Sequence, residues 1–230
     1  MRISKNISTI VSTIIIGVFI CVLGKPLAIH AVISGNDSCM AFQQGCSTGP
    51  GIKALSAEFK SIGQLIAEGA GYYFNSLSAY ANLLNKIEMT EINGLNSQEI
   101  KSILILSIDE MEKAEASYRD LWNASVGLDY NTDIIQKLKT FNYASFQADK
   151  GLNAEIFRKV EKLLVIGDVK GVYKQFYADT FQLSEMLQYL KPMAETCVFN
   201  TGYLWKINQT YSDTLLFGQY IAQVFNAIKK

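Results

Sequence analysis

Histidine is almost absent: the 230 residues hold one, His30, in a segment that reads as an export signal. A chain that loses it cannot assemble a Ser-His-Asp or Cys-His nucleophile system. Nor can it offer the Glu-x-x-His ligands of a di-iron bundle, a His-ligated haem or a His-containing zinc site. A glycosidase-like carboxylate pair needs no imidazole, but the spacing of the acids singles none out. The sequence therefore names no catalytic residue, no cofactor-binding residue and no metal ligand, and the expectation is a protein that is not an enzyme.

Proline is scarce too, at Pro26, Pro50 and Pro192. Proline removes a backbone donor and clashes with the preceding turn, so its scarcity suits long helices. Strand-type alternation is missing, and Asn93-Gly94 lacks the alternating flanks of a hairpin. There is no long block of charge of one sign. Without clustered Lys and Arg, nucleic acid is not an expected partner. Beyond the N-terminal segment, no apolar run is long enough to span a bilayer, Ile103–Ile108 being only six residues.

Residues 1–31 carry the layout of a secretory signal. Arg2 and Lys5 precede Ile7–Leu23, which is apolar apart from Ser8, Ser12, Thr13 and Gly17, and Ala31 is a small residue suited to a cut. Cleavage after Ser34 also fits, and an uncleaved anchor helix is the alternative. Removing residues 1–31 takes Arg2, Lys5 and Lys25 with it, leaving 18 basic against 21 acidic residues, a net charge of −3. The expected location is secreted or periplasmic, where disulfides are allowed.

Residues 32–51 form an irregular segment holding Cys39, Cys46 and the run Gly49-Pro50-Gly51. With Cys197, three cysteines remain after export, an odd number. A Cys39–Cys46 staple is the local option, since the spacing is not the Cys-x-x-Cys of redox chemistry. Residues 52–230 read as one domain, an all-α, elongated antiparallel up-down bundle of four to six helices.

The stretch from Ile52 to Ile87 organises it. Ile52, Leu55, Phe59, Ile62, Ile66, Gly69, Tyr73, Ser76, Tyr80, Leu83 and Ile87 recur in steps of three and four, a coiled-coil-like seam that predicts one helix over 52–88. Gly69 and Gly71 near its middle imply close packing or a hinge. A second helix opens at Asn96 or Ser97 and buries Ile100, Leu104, Ser107, Met111, Ala114, Tyr118, Leu121 and Ser125. Within it Ile103–Ile108 is apolar on nearly every side, which predicts central core; a membrane-inserting element is the sharper alternative. A third helix runs from Asn131 or Thr132 to Gly151, with Leu138, Phe141 and Phe146 inward. Asn153 caps a fourth, and Gly167-Asp168 either kinks it or starts another. A last long helix spans 194–228, with Leu204, Ile207, Tyr211, Thr214, Gly218, Ile221, Phe225 and Ile228 on its seam.

Topology hinges on residues 132–190. If they make two passes, Cys197 reaches the end that carries Cys39 and Cys46; if one or three, it sits at the far end. All twelve tyrosines lie beyond the signal, and Tyr73, Tyr80, Tyr118 and Tyr211 fall on seams. They read as semi-polar core, or with Gly69 and Gly71 as the lining of a pocket for an aromatic or cationic ligand. Trp122 and Trp205 read as packing residues. No motif selects one group among exported helical bundles. The functional expectation is a binding or scaffolding module with a protein partner or self-association. A small-ligand-sensing bundle and a helical pore-forming or effector protein are the alternatives.

Overall fold

A computed structural model describes residues 62–89, 96–126 and 132–228. Residues 1–61 lie outside the described residues, and with them the signal, Cys39, Cys46 and the first heptads. So do the Asn93-Gly94 turn and the Gly127–Asn131 break. The described residues are helical, with no strand among them. The helices are α1 (Ile62–Met89), α2 (Ser97–Ser125), α3 (Thr132–Thr140), α4 (Tyr143–Lys150), α5 (Ala154–Leu164), α6 (Val169–Gln188), α7 (Lys191–Thr196) and α8 (Thr201–Ile228).

Side-chain caps place most of the boundaries. Asn96 accepts from the Gln98 and Glu99 amides and starts α2. Glu99 does not turn back to close a capping box; its carboxylate meets Lys86 at 2.6 Å and ties the start of α2 to the end of α1. Asn153 starts α5 by accepting from the Glu155 and Ile156 amides. Asp168 accepts from the Gly171 amide at 2.8 Å, so a fresh helix begins there rather than a kink. Gly167 precedes it at φ 74°, a left-handed conformation open to glycine.

Two boundaries differ from the sequence expectation, and they raise the helix count above six. The third helix does not run through to Gly151; it divides at Phe141-Asn142, where Asn142 caps α4. In one continuous helix Phe141 and Tyr143 would point to different faces. The break lets Phe141 meet Tyr143 and Phe146, with ring centroids 5.0 and 5.2 Å apart. The last helix is likewise cut. Pro192 sits in the first turn of α7, Cys197 closes it at φ 53°, and α8 starts only at Thr201. The break lets α7 fold over the start of α2, where Ser97 Oγ donates to Ala194 O at 3.1 Å.

Paired residues fix the directions. Gly69 lies on Tyr118, Ser76 on Ser107 and Lys86 on Glu99, so α1 and α2 run antiparallel. Lys170 Nζ donates to Val126 O and Gln188 to Glu112, so α6 is antiparallel to α2 on its other side. Tyr73 meets Tyr211 and Tyr80 meets Leu204, while Phe176 meets Phe217 and Thr210 meets Met186. α8 is therefore antiparallel to both α1 and α6. The 28 residues of α1 span about 42 Å. Residues 132–190 contribute one full-length pass, α6. The short helices α3 to α5 pack at the end where α1 begins: Leu138, Tyr143 and Phe157 join Leu65, Tyr220 and Val224 in one apolar cluster. A second cluster, around Tyr80, Leu83, Ile100, Leu187 and Ile207, fills the other half. Cys197 stands at that other end, away from Ile62.

The expectation that Ile103–Ile108 is core is corrected in part. Leu104 and Ile108 are buried, but Ile105 and Leu106 are 50% and 54% exposed. α2 is covered along α1 and α6, with α7 at its start, and its outer side faces solvent. Trp205 is likewise 66% exposed, because Leu204 and Ile207 take the inward side of α8.

Candidate functional site

The hydroxyls on the seams converge at the centre of the bundle. Ser76 of α1 and Ser107 of α2 are fully buried. Ser76 Oγ donates to Ser107 O at 2.6 Å, and Ser107 Oγ donates to Ser76 O at 3.0 Å. Each serine has spent its only proton, so in the 2.7 Å contact between Ser76 Oγ and Tyr211 Oη the tyrosine donates. Tyr73 donates to Tyr211 O and Tyr80 to Leu204 O, both at 2.7 Å. The Tyr211 ring stacks on Tyr80 at 5.4 Å and meets Tyr73 edge-on at 5.5 Å. Burial pushes the hydroxyls of all three well above the ordinary tyrosine value, so they stay protonated donors.

The structure thus brings Tyr73, Tyr80 and Tyr211 together and leaves Tyr118 apart. Tyr118 lies under Gly69 and stacks on Phe176 at 5.3 Å. A Cβ on Gly69 would come within 2.9 Å of the Tyr118 ring, whereas one on Gly71 would meet nothing within 4 Å. The ring occupies the space that the glycine leaves. Beside this core, Glu110 is buried and accepts from Asn75 Nδ2 at 2.8 Å and from Lys113 Nζ at 2.6 Å. The Lys113 ammonium holds its carboxyl below the ordinary carboxylate range. Lys113 also lies 5.7 Å above the Tyr72 ring.

A cavity opens elsewhere, between α5, α6 and α8. It has a volume of about 180 Å³, with Ile156 and Phe217 as its apolar wall and Lys159, Asp179, Gln182, Thr210, Asp213 and Thr214 around it. Each aspartate is held by the glutamine one turn before it. Gln175 Nε2 donates to Asp179 Oδ1, and Gln209 Nε2 donates to Asp213 Oδ1, both at 2.7 Å. Burial raises the Asp179 carboxyl above its ordinary value; Gln175, Lys159 and Thr214 pull against it, and the Asp213 charge adds least. Charges of both signs, an amide and two hydroxyls surround the apolar wall, and the hydroxyls of Thr210 and Thr214 donate to carbonyls one turn back in α8.

This cleft was not among the residues singled out from the sequence. Its one trace there is the spacing Gln-x-x-x-Asp, present at 175–179 and again at 209–213. Such a pair ordinarily serves only to support a helix. Among the described residues, no group of three or more His, Cys, Asp or Glu is placed to hold a metal ion. Cys197 lies at the α7 boundary, its Sγ 3.9 Å from Ala194 O. No described helix is long and apolar enough to cross a membrane. No family model, curated protein or solved structure matches the chain.

Proposed function

We propose that this is an exported, non-enzymatic helical bundle that works as a binding or scaffolding module, offering an outer helix face to a protein partner or to further copies. The observation that carries the reading is the adjacent pair Ile105 and Leu106, half exposed on the outer side of the first half of α2. Full burial of a large aliphatic side chain is worth roughly 1.5–3 kcal/mol. Covering these two on association would recover part of that. The test is sedimentation velocity over rising concentration, combined with photo-crosslinking from position 102, an exposed neighbour on the same side. The expected result is a cross-linked adduct that disappears in the double variant Ile105→Lys, Leu106→Glu while the helical circular dichroism persists. An adduct unchanged by the double variant removes the face from the proposal. A turnover that survives purification and dies on replacing a particular acidic pair overturns the non-enzymatic reading.

The second reading, a small-ligand-binding bundle, is favoured by the cleft between α5, α6 and α8 rather than by the tyrosines. The tyrosine hydroxyls named above are engaged by neighbouring helices. A pore-forming role is tested by liposome leakage, and no leakage over a range of pH removes it.

A further inference from the structure

Three large apolar side chains face solvent at the end of the bundle where α1 begins. Val126, just past α2, is 61% exposed, and Val165 and Ile166, in the turn between α5 and α6, are 38% and 63% exposed. Lys170 Nζ, donating to Val126 O at 2.8 Å, ties the end of α2 to the start of α6. α3 takes the inner side of this corner. A Cβ on Gly167 would meet Ile135 at 2.8 Å, while Ile166 beside it stays outside.

The register of the long helices tells what comes level with the corner. Gly69 lies on Tyr118, Ser76 on Ser107 and Lys86 on Glu99. Each step back along α1 is matched by one step forward along α2. Carried back past Ile62, this register sets position 59 level with Val126. Lys170 on Val126 and Gln188 on Glu112 give the register between α2 and α6. It sets Ile166 about one turn further out, level with position 55. Phe59 and Leu55 occupy those two positions, with Ile52 before them, in the same steps of three and four that bury Tyr73, Ser76 and Tyr80. On one side such a seam still has α8 as far as Ile228, by the register of Tyr73 on Tyr211 and Tyr80 on Leu204. On the other side α2 has already ended at Ser125. Apolar surface on both parties gains by leaving water together.

We infer that residues 52–61 of this same chain dock on the corner, Phe59 covering Val126 and Leu55 covering Val165 and Ile166, so that the chain entering α1 closes this end of the bundle. Connectivity fixes the occupant. Position 55 lies within about 25 Å of Ile62 however the chain runs, a local concentration that no second molecule matches. The corner is roughly 30 Å along α2 from Ile105 and Leu106, so this surface and the outer face of α2 stand or fall separately.

The experiment uses the full chain. A photoreactive phenylalanine analogue at position 59 keeps the ring that makes the contact, and its adduct is mapped by peptide mass spectrometry. The expected adduct joins position 59 to residues 122–126 or 165–170 within one chain. Denaturation midpoints are then compared for Ile166→Lys and Val198→Lys. Val198 is 67% exposed and stands at the opposite end. A lysine at an open surface changes little, so Ile166→Lys should lower the midpoint and Val198→Lys should leave it in place. In a Leu55→Ala, Phe59→Ala background the drop caused by Ile166→Lys should shrink by at least about half, because the contact is already lost. An adduct between two chains makes a second copy the occupant and overturns the proposal, as does an adduct confined to α8. It is equally overturned if Ile166→Lys leaves the midpoint unchanged, or lowers it as much in the alanine background as in wild type.

Discussion

At the scale of single residues, the molecule depends on who donates to whom. Ser76 and Ser107 are small enough to bring α1 and α2 together, and each donates to the other's carbonyl. Tyr211 reaches this knot from α8 and donates to Ser76 Oγ. Removing one partner of a buried hydrogen bond leaves the other unsatisfied, at a cost of about 1–3 kcal/mol. Ser76→Ala and Tyr211→Phe should each lower stability by about that much. Because both remove the same contact, the double variant should lose less than the sum by at least about 0.5 kcal/mol. Urea denaturation of the four proteins measures this, and strict additivity would show that the Ser76–Tyr211 contact carries no energy. Tyr73, Tyr80 and Tyr211 were legible as inward-facing from their seam positions. Their partners were not, since those lie 124–138 residues away.

At the scale of elements, α1 shows how one residue type can serve opposite ends. Gly69 and Gly71 are two positions apart, yet one is pressed against the Tyr118 ring and the other faces open space. Tyr118 has little room to yield, since its far face stacks on Phe176. Gly69→Ala should therefore destabilise the protein by about 1–3 kcal/mol through overpacking. Gly71→Ala should stabilise it by up to about 1 kcal/mol, because alanine is the better helix former. Thermal or urea unfolding of the pair reads the contrast directly, and two changes of the same sign would contradict it. Caps were the most readable part of the elements: Asn96, Asn153 and Asp168 all sit where their side chains accept from the first turn. The break at Phe141-Asn142 was harder to see. Phe141 and Phe146 fit a continuous helix by spacing, and only their packing with Tyr143 and Phe157 favours two short ones.

At the scale of the whole molecule, one topological fact organises the rest. Residues 132–190 make one full-length pass, with α3 to α5 folded at one end. Cys197 is thereby put at the end opposite the start of α1. Spin labels at Cys197 and at an Ala67→Cys position, with the other native cysteines replaced by serine, should lie roughly 30–40 Å apart, given about 1.5 Å per helical residue. A two-pass arrangement would bring them to less than half that separation. The same topology puts Asp179 and Asp213 on the lining of one cleft and leaves the outer side of α2 uncovered.

Local pattern determined that this chain is helical, where most helices start, and which side of each long helix turns inward. Those properties depend on contacts three and four residues apart, and the side chains that make them are adjacent in the sequence. Tertiary structure alone decided that Ile105 and Leu106 face water while Leu104 and Ile108 do not. A helix apolar on all sides carries no mark of which side lacks a neighbour. The meeting of two Gln-x-x-x-Asp pairs across α6 and α8 was hidden for the same reason. Each pair is an ordinary helix support by itself, and the opening between them exists only once two antiparallel rods have been set side by side.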